Sequence, residues 1–166
     1  MKYLKEFFVC GLVLIITSSY TTRTPKISEG INQGNLIPDF NIYDESGNEF
    51  KLSDLKGQKA LVSLWAAYDA KSHMQHVLLT NVLKKENYPA KIISVSFDSS
   101  KSIFEKTLSM DSIKNEFQHV DTKGSDSPIY KKYQLEKGFS NFLIDENGII
   151  IAINPTLNDL KQVFSE

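Results

Sequence analysis

A nearly continuous apolar run at residues 60–66 ends close to a polar tetrapeptide, Asp69-Ala70-Lys71-Ser72. Such a run is typical of a strand that is buried on both faces of a sheet. From Ala70 to about Glu86 the apolar spacing becomes helical, and Asp69 is a good N-cap for that helix. The stripe that we expect to face the core consists of Met74, Val77, Leu78, Val82 and Leu83. A buried strand that runs directly into a helix is the feature that most constrains the fold.

The patterns on either side of this strand and helix predict an α/β domain. Residues 37–43 and 49–52 alternate apolar and polar side chains around a turn, which indicates a β-hairpin. A second β-rich run at 91–97 is followed by another helical pattern, and strand-helix-strand-helix order predicts parallel pairing with crossovers. The later patterns predict a short strand at 116–120, a short helix at 127–133, a strand at 141–145, a hairpin turn at Asn147-Gly148 into a strand at 149–153, and a last helix after Thr156.

The first residues have the composition of a secretory signal. Lys2 and Lys5 precede the apolar run Phe7–Ile16, and small residues suited to cleavage follow it. The run is well short of the ~20 residues that a transmembrane helix needs, so no stable membrane span is expected after signal removal. We therefore predict a signal peptide at 1–19, a flexible leader at 20–36, one domain at 37–166, and export to the periplasm or the medium; an uncleaved membrane anchor is the alternative.

Composition narrows the class of function. With 41% hydrophobic and 23% charged residues, the chain is able to bury a substantial core. A formal net charge of -1 and dispersed lysines give no basic face, which argues against a nucleic-acid partner. Cys10 is the only cysteine and lies inside the predicted signal, so the mature chain is expected to contain no thiol.

Four short motifs occur in an order and spacing that match a known family: Ile37-Pro38-Asp39-Phe40, the lysine-glycine turn at 53–58, Leu64-Trp65-Ala66, and the late hairpin at 142–148. On these motifs the chain resembles the exported thioredoxin-like thiol-disulfide oxidoreductases, the branch related to cytochrome-c-maturation reductases and to the peroxiredoxin superfamily. The likeness extends from Ile37 to the C-terminus. It implies a thioredoxin-like fold, with a central mixed sheet flanked by helices and an N-terminal β-hairpin extension.

The residues that carry the family's chemistry are replaced in this chain. The resemblance implies Trp-Cys-x-x-Cys at the strand-to-helix join, where Tyr68, Asp69 and Ser72 stand for the tryptophan and the two cysteines. Thiol-disulfide exchange needs a thiolate that forms a mixed disulfide, and a carboxylate cannot do this. Asp69 retains negative charge at the helix end and can accept backbone N–H groups there. We therefore expect no thiol chemistry at this join.

Three further family positions depart from the pattern. Gln75 stands where the redox branch carries a glutamate proton relay, and Val77 stands where it carries a helix-kinking proline. In the facing loop, the segment from Gly138 through Phe139 corresponds to the family's cis-proline segment. Because a cis bond before a non-proline residue costs ~2.5–4 kcal/mol, we predict that the Gly138–Phe139 peptide is trans.

The expected function is that of a redox-inactive binding or accessory module, without a cofactor, for a protein or peptide partner in the cell envelope. The surface predicted to carry it comprises Trp65, Tyr68, Asp69, Ala70, Lys71, Ser72, Gly138, Phe139 and Ser140. The aromatic members can form an exposed patch, or they can fill the space left by the absent cysteines and proline, and the sequence leaves both interpretations open.

Two enzymatic alternatives remain. Family membership implies thiol-disulfide oxidoreductase or antioxidant activity, which here would have to rely on a partner's thiols. Separately, Asp69, His73 and His76 are spaced by four and three residues, so on one continuous helix they could share a face and ligate a metal such as zinc. The simpler expectation assigns no metal: Asp69 caps the helix, His73 is solvated, and His76 packs beside the core.

Overall fold

The structure is a computed structural model that describes residues 27–43, 49–113 and 117–165. The predicted signal peptide at 1–19 and the first part of the predicted leader lie outside the described residues. Within the described ranges, no helix has the length and apolar character that crossing a bilayer requires.

A five-stranded mixed sheet forms the centre of the molecule, in the order β5-β4-β3-β6-β7. The three strands β3, β4 and β5 are parallel, and β6 and β7 are antiparallel to their neighbours. The strands are β1 Asn41–Tyr43, β2 Glu49–Lys51, β3 Lys59–Trp65, β4 Ala90–Ser96, β5 Gln118–Val120, β6 Asn141–Ile144 and β7 Ile150–Ile153. The helices are α1 Ala70–Lys85, α2 Lys101–Met110, α3 Pro128–Lys132 and α4 Leu157–Phe164. The predicted mixed sheet with flanking helices is confirmed.

The predicted N-terminal hairpin is also confirmed, since β1 and β2 pair antiparallel outside the main sheet. The hairpin and α3 cover one face of the sheet, where Val62 and Leu64 of β3 are fully buried. The other face carries Leu61 and packs against Leu79 and Leu83 of α1 and Leu160 of α4. β3 is therefore buried on both faces, as its continuous apolar run predicts.

Helix α1 is rotated relative to the orientation that its apolar stripe predicts. Met74 is 66% exposed and Leu78 is 47% exposed, so the expectation that both face the core is wrong. The buried face instead consists of Ser72, His76, Leu79, Thr80 and Leu83. Both sides of this helix carry apolar residues, so periodicity alone does not determine which side is buried. Of the polar residues on the buried side, His76 lies with its Nδ1 3.0 Å from the Ser63 hydroxyl on the sheet, and the Ser72 hydroxyl bonds to the turn before the helix.

Residues 28–36 differ from the flexible leader that was predicted. The backbone N–H of Gly34 donates to the carbonyl of Ile150 at 2.8 Å, and the N–H of Ile150 donates to the carbonyl of Asn35 at 2.9 Å. The Gln33 side chain donates to the carbonyl of Ile151 at 2.8 Å. The segment thus pairs with β7 at the open edge of the sheet and satisfies backbone groups that would otherwise be exposed there.

Candidate functional site

The strand-to-helix join is closed by hydrogen bonds within the chain. The Asp69 Oδ1 atom accepts the backbone N–H of Ser72 at 2.7 Å, which confirms the predicted N-cap. The Ser72 hydroxyl donates to the Asp69 carbonyl at 3.1 Å and accepts the N–H of Ala66 at 3.3 Å. Ser72 is buried, so both its backbone and its hydroxyl are committed to holding the turn. The two positions that the resemblance aligns with the family's cysteines therefore form a helix cap, an arrangement worth ~0.5–2 kcal/mol.

A buried carboxylate supports the other end of the same turn. Asp98 is 3% exposed, and its two oxygens each lie 3.0 Å from the donating N–H nitrogen of Ala67. The Ser96 hydroxyl donates to Asp98 at 2.6 Å. Asp98 is not among the site residues that the sequence patterns predict. Its position just after β4 is the signal that could have identified it, because β3 and β4 are parallel and their carboxyl ends meet at one edge.

Trp65 lies inside the protein and not on the predicted binding surface. Its ring is fully buried and stacks on His76 at a centroid distance of 4.5 Å and on His73 at 5.4 Å. Its indole N–H donates to the Ser94 hydroxyl at 2.7 Å. The assignment of Trp65 to a recognition surface is wrong, because this residue ends a strand that α1 covers directly.

The two histidines of α1 have different surroundings. His73 is partly exposed, and its Nε2 lies 2.6 Å from Asp111 Oδ2, so the prediction that it is simply solvated is wrong. His76 is fully buried, as expected, and its Nδ1 lies 3.0 Å from the Ser63 hydroxyl. Burial, reinforced by the positive charges of neighbouring residues, lowers the pKa of His76 to about 3. His76 is therefore neutral at physiological pH.

The three candidate metal ligands do not form one site. Asp69 accepts the N–H of Ser72, His73 contacts Asp111, and His76 contacts Ser63 on the sheet. Across residues 27–43, 49–113 and 117–165, no group of three histidine, cysteine or acidic side chains is placed to hold a metal ion. Asp69 lies outside the helix as its cap, and His76 faces the sheet, so the spacing of four and three does not bring the ligands together.

The exposed part of the predicted surface is formed by Tyr68 and its neighbours. Tyr68 is 69% exposed, and its ring contacts Phe139 edge-to-face at 6.1 Å. Partial burial raises the pKa of the Tyr68 phenol. Phe139 is half-buried and stacks on Phe97 at 6.0 Å, and it also contacts the ring of Tyr130. Phe139 thus belongs to the edge of the core, whereas Tyr68 presents a free aromatic surface.

The remaining predicted surface residues divide by exposure. Ala70, Lys71 and Gly138 are exposed, Ser140 is half-buried with its carbonyl accepting the N–H of Leu64 at 3.2 Å, and Ser72 is buried. The Gly138–Phe139 peptide is trans, which confirms that prediction.

The backbone of this facing loop is shaped for glycine. Gly138 has φ +124, a value that residues with a side chain rarely adopt. Gln75, which the resemblance aligns with the family's proton relay, has a neutral amide whose oxygen lies 3.5 Å from the Asn141 side-chain nitrogen. It therefore offers no titrating group beside the join.

Concave surfaces also lie outside the join, although one of them reaches Ala70. One groove of about 590 Å³ lies on the hairpin side of the sheet and is lined by residues of β1, β5, α3 and the loop after β5. The other, of about 470 Å³, follows the outer side of α1. Neither was anticipated from the sequence, because each depends on how the elements pack.

Comparison with known proteins establishes the family. The model of the AhpC/TSA family matches residues 33–153. The thioredoxin-like protein YneN of Bacillus subtilis is 26% identical over 154 residues, covering 89% of this chain and 88% of that protein. The thiol-disulfide oxidoreductase ResA of the same organism is 24% identical over 145 residues, covering 86% of this chain and 79% of ResA. The crystal structure of a thioredoxin-like protein from Parabacteroides distasonis superposes with a TM-score of 0.71 at 37% identity, covering 85% of this chain and 100% of that one. The resemblance inferred from the motifs is confirmed, and the chain belongs to the AhpC/TSA family of thioredoxin-like proteins.

Proposed function

We propose that this protein is a redox-inactive member of its family that binds a protein or peptide partner in the cell envelope. The proposal is supported by the hydrogen bonds at the join, where Asp69 and Ser72, which the resemblance aligns with the family's cysteines, bond to each other as a helix cap. Neither residue supplies a thiolate, and Ser72 is buried beneath the turn. A partner would therefore bind the exposed side chains around the join and would form no covalent bond with Asp69 or Ser72.

The exposed ring of Tyr68 is the centre of the proposed binding surface. Its ring contacts the ring of the half-buried Phe139 edge-to-face at 6.1 Å. Amphipathic aromatic rings such as tyrosine are enriched at protein interfaces, since they bury a large area and retain a polar end. Ala70 and Lys71 extend this surface onto the first turn of α1.

A peptide selection followed by a matched pair of variants tests the binding role. Peptides enriched on the full chain are expected to lose affinity at least about tenfold for Tyr68→Ala, as truncating a central aromatic anchor does. Tyr43→Ala is the control, because Tyr43 is 61% exposed but lies on the hairpin. Equal affinity for Tyr68→Ala and the wild type would exclude this surface.

Thiol-disulfide oxidoreductase activity is the second candidate, favoured by the family and by the similarity to the thiol-disulfide oxidoreductase ResA. In this chain it would require thiols from a partner. The full chain is therefore expected to reduce insulin disulfides no faster than dithiothreitol alone. Acceleration that persists in Cys10→Ser would favour this second candidate.

We further propose that the chain is exported to the periplasm or the medium, on the basis of Lys2, Lys5 and the apolar run Phe7–Ile16. Fractionation of cells that express a C-terminally tagged chain should find it outside the cytoplasm. Replacing two leucines of the run, Leu12→Arg and Leu14→Arg, should retain it inside. Retention of the unaltered chain in the cytoplasm would contradict export.

A further inference from the structure

Four aromatic rings form a cluster beside the join, and its members are Tyr68, Phe97, Tyr130 and Phe139. The Phe139 ring contacts the other three, with centroid distances of 6.1 Å to Tyr68 and 6.0 Å to each of the other two. Phe97 is buried and Tyr130 is half-buried, whereas Tyr68 is 69% exposed. The cluster therefore holds the Tyr68 ring through Phe139 and leaves most of that ring open to solvent.

Two carboxylates flank Tyr68. Asp98 accepts the N–H of Ala67, the residue before Tyr68, at 3.0 Å from each oxygen, and Asp69 follows Tyr68 directly in the chain. The donors to both carboxylates are neutral, namely backbone N–H groups and one serine hydroxyl. Among the residues that the structure describes, neither carboxylate forms an ion pair. The described part of the chain therefore supplies no cation to balance the negative charge on the two sides of Tyr68.

The positive groups near the join do not reverse this balance. Burial raises the pKa of the Tyr68 phenol, repulsion from Asp98 and Asp69 raises it further, and no described lysine lowers it. Lys71, at the second position of α1, is exposed to solvent. The start of α1 has the partial positive charge of a helix N-terminus, but Asp69 already caps it, so an incoming anion would meet this carboxylate. A cation is therefore favoured over an anion beside Tyr68.

We propose that the exposed Tyr68 ring and the Asp69 carboxylate together bind a basic side chain, arginine or lysine, of the partner peptide. The face of a tyrosine ring attracts a cation through its quadrupole, and a carboxylate oxygen accepts a charge-assisted hydrogen bond from the same cation. Asp69 is half-buried, and its Oδ2 atom accepts no hydrogen bond from a described residue, so this oxygen can accept that bond. The inference rests on the proposed function, because it names the chemistry of the partner that binds around Tyr68.

The peptide selection that tests the proposed function also supplies the probes for this inference. The peptides enriched on the full chain are expected to share an arginine or lysine at one position. In fluorescein-labelled copies, that residue is replaced by its neutral counterpart, citrulline for arginine or norleucine for lysine. Fluorescence anisotropy should then show binding at least about fivefold weaker, because the cation–π contact and the charge-assisted hydrogen bond are both lost.

Three variants of the chain make the outcome specific. Asp69→Asn removes the charge and should still fold, because asparagine caps a helix about as well as aspartate. It should weaken binding of the basic peptide at least about threefold, and the neutral replacement in the peptide should then cost less than it does with the wild type. Tyr68→Phe retains the ring and should bind nearly as tightly as the wild type. Glu105→Gln, which removes an exposed carboxylate on α2, should leave affinity unchanged.

Three results would overturn this inference and leave the proposed function in place. These are peptides that need Tyr68 but share no basic residue, equal binding of a basic peptide and its neutral counterpart, or a shared acidic residue, which would assign the surface to Lys71 and the helix start. Peptides whose affinity is unchanged in Tyr68→Ala would instead overturn the proposed binding surface, and this inference with it.

Discussion

His76 links the chemistry of one buried residue to the stability of the whole domain. Its imidazole lies between the Trp65 ring and the Ser63 hydroxyl, fully buried. Burial lowers its pKa from an ordinary value of 6.5 to about 3, so the folded chain retains the neutral form where an unfolded chain would take up a proton. Above pH 6.5 neither state is protonated at this site, and the full stability is present. As pH falls from 6.5 toward 3, the unfolded state binds the extra proton and stability is lost.

The free energy of unfolding should fall by about 1.4 kcal/mol for each pH unit below 6.5 on account of His76. At pH 5 the loss from this residue is therefore about 2 kcal/mol relative to pH 7.5. Urea unfolding at both pH values measures it. In His76→Gln, which cannot titrate, the difference between the two pH values should be smaller by about that amount. An identical pH dependence in His76→Gln and the wild type would contradict the buried neutral imidazole.

At the scale of single elements, the helix caps were predictable from the sequence, but the contacts between elements and the buried side of α1 were not. The cap at Asp69 and the capping box between Thr156 and Asp159 follow from residues three positions apart, and both are present. The partner of His73 is Asp111, which is distant in sequence, and no local pattern reveals that contact. The rotation of α1 was mispredicted for a related reason, since two sides of the helix are apolar and only the sheet beneath decides between them.

Two adjacent leucines test the observed orientation of α1. Leu79 is 2% exposed, and replacing it with alanine should lower the free energy of unfolding by about 2–5 kcal/mol, because it removes buried methyl groups and leaves a cavity. Leu78→Ala, one position earlier on the exposed side, should change stability by no more than about 0.5 kcal/mol. Denaturant midpoints of the two variants give the comparison. A larger effect for Leu78→Ala would restore the orientation expected from the sequence.

At the scale of the whole molecule, the fold was predictable because four motifs and the strand-helix order agree with one another. The sequence did not predict how far the folded domain extends on its N-terminal side. Residues 28–36 have little periodicity, yet their backbone pairs with the edge strand β7. Such pairing depends on backbone groups that every sequence has, so composition and spacing gave no sign of it.

Removal of this segment should expose the edge strand. A chain that begins at residue 37 loses the bonds from Gly34, Asn35 and Gln33 to β7, and its free energy of unfolding should be lower by about 1–3 kcal/mol than that of a chain beginning at residue 27. Hydrogen exchange at the Ile150 amide reports the edge directly and should become much faster in the shorter chain. Unchanged protection of that amide would show that the segment does not cover β7.

The central claim is the proposed one, that the join forms a helix start like that of the family but does not catalyse thiol-disulfide exchange. The most direct measurement compares insulin-disulfide reduction by Cys10→Ser with that by Cys10→Ser carrying Asp69→Cys and Ser72→Cys. The first is predicted to match a reaction without protein. The second should exceed it, because a cysteine at position 69 lies at the helix N-terminus, where thiolates are stabilised. Reduction above background by Cys10→Ser alone, which has no thiol, would contradict the claim.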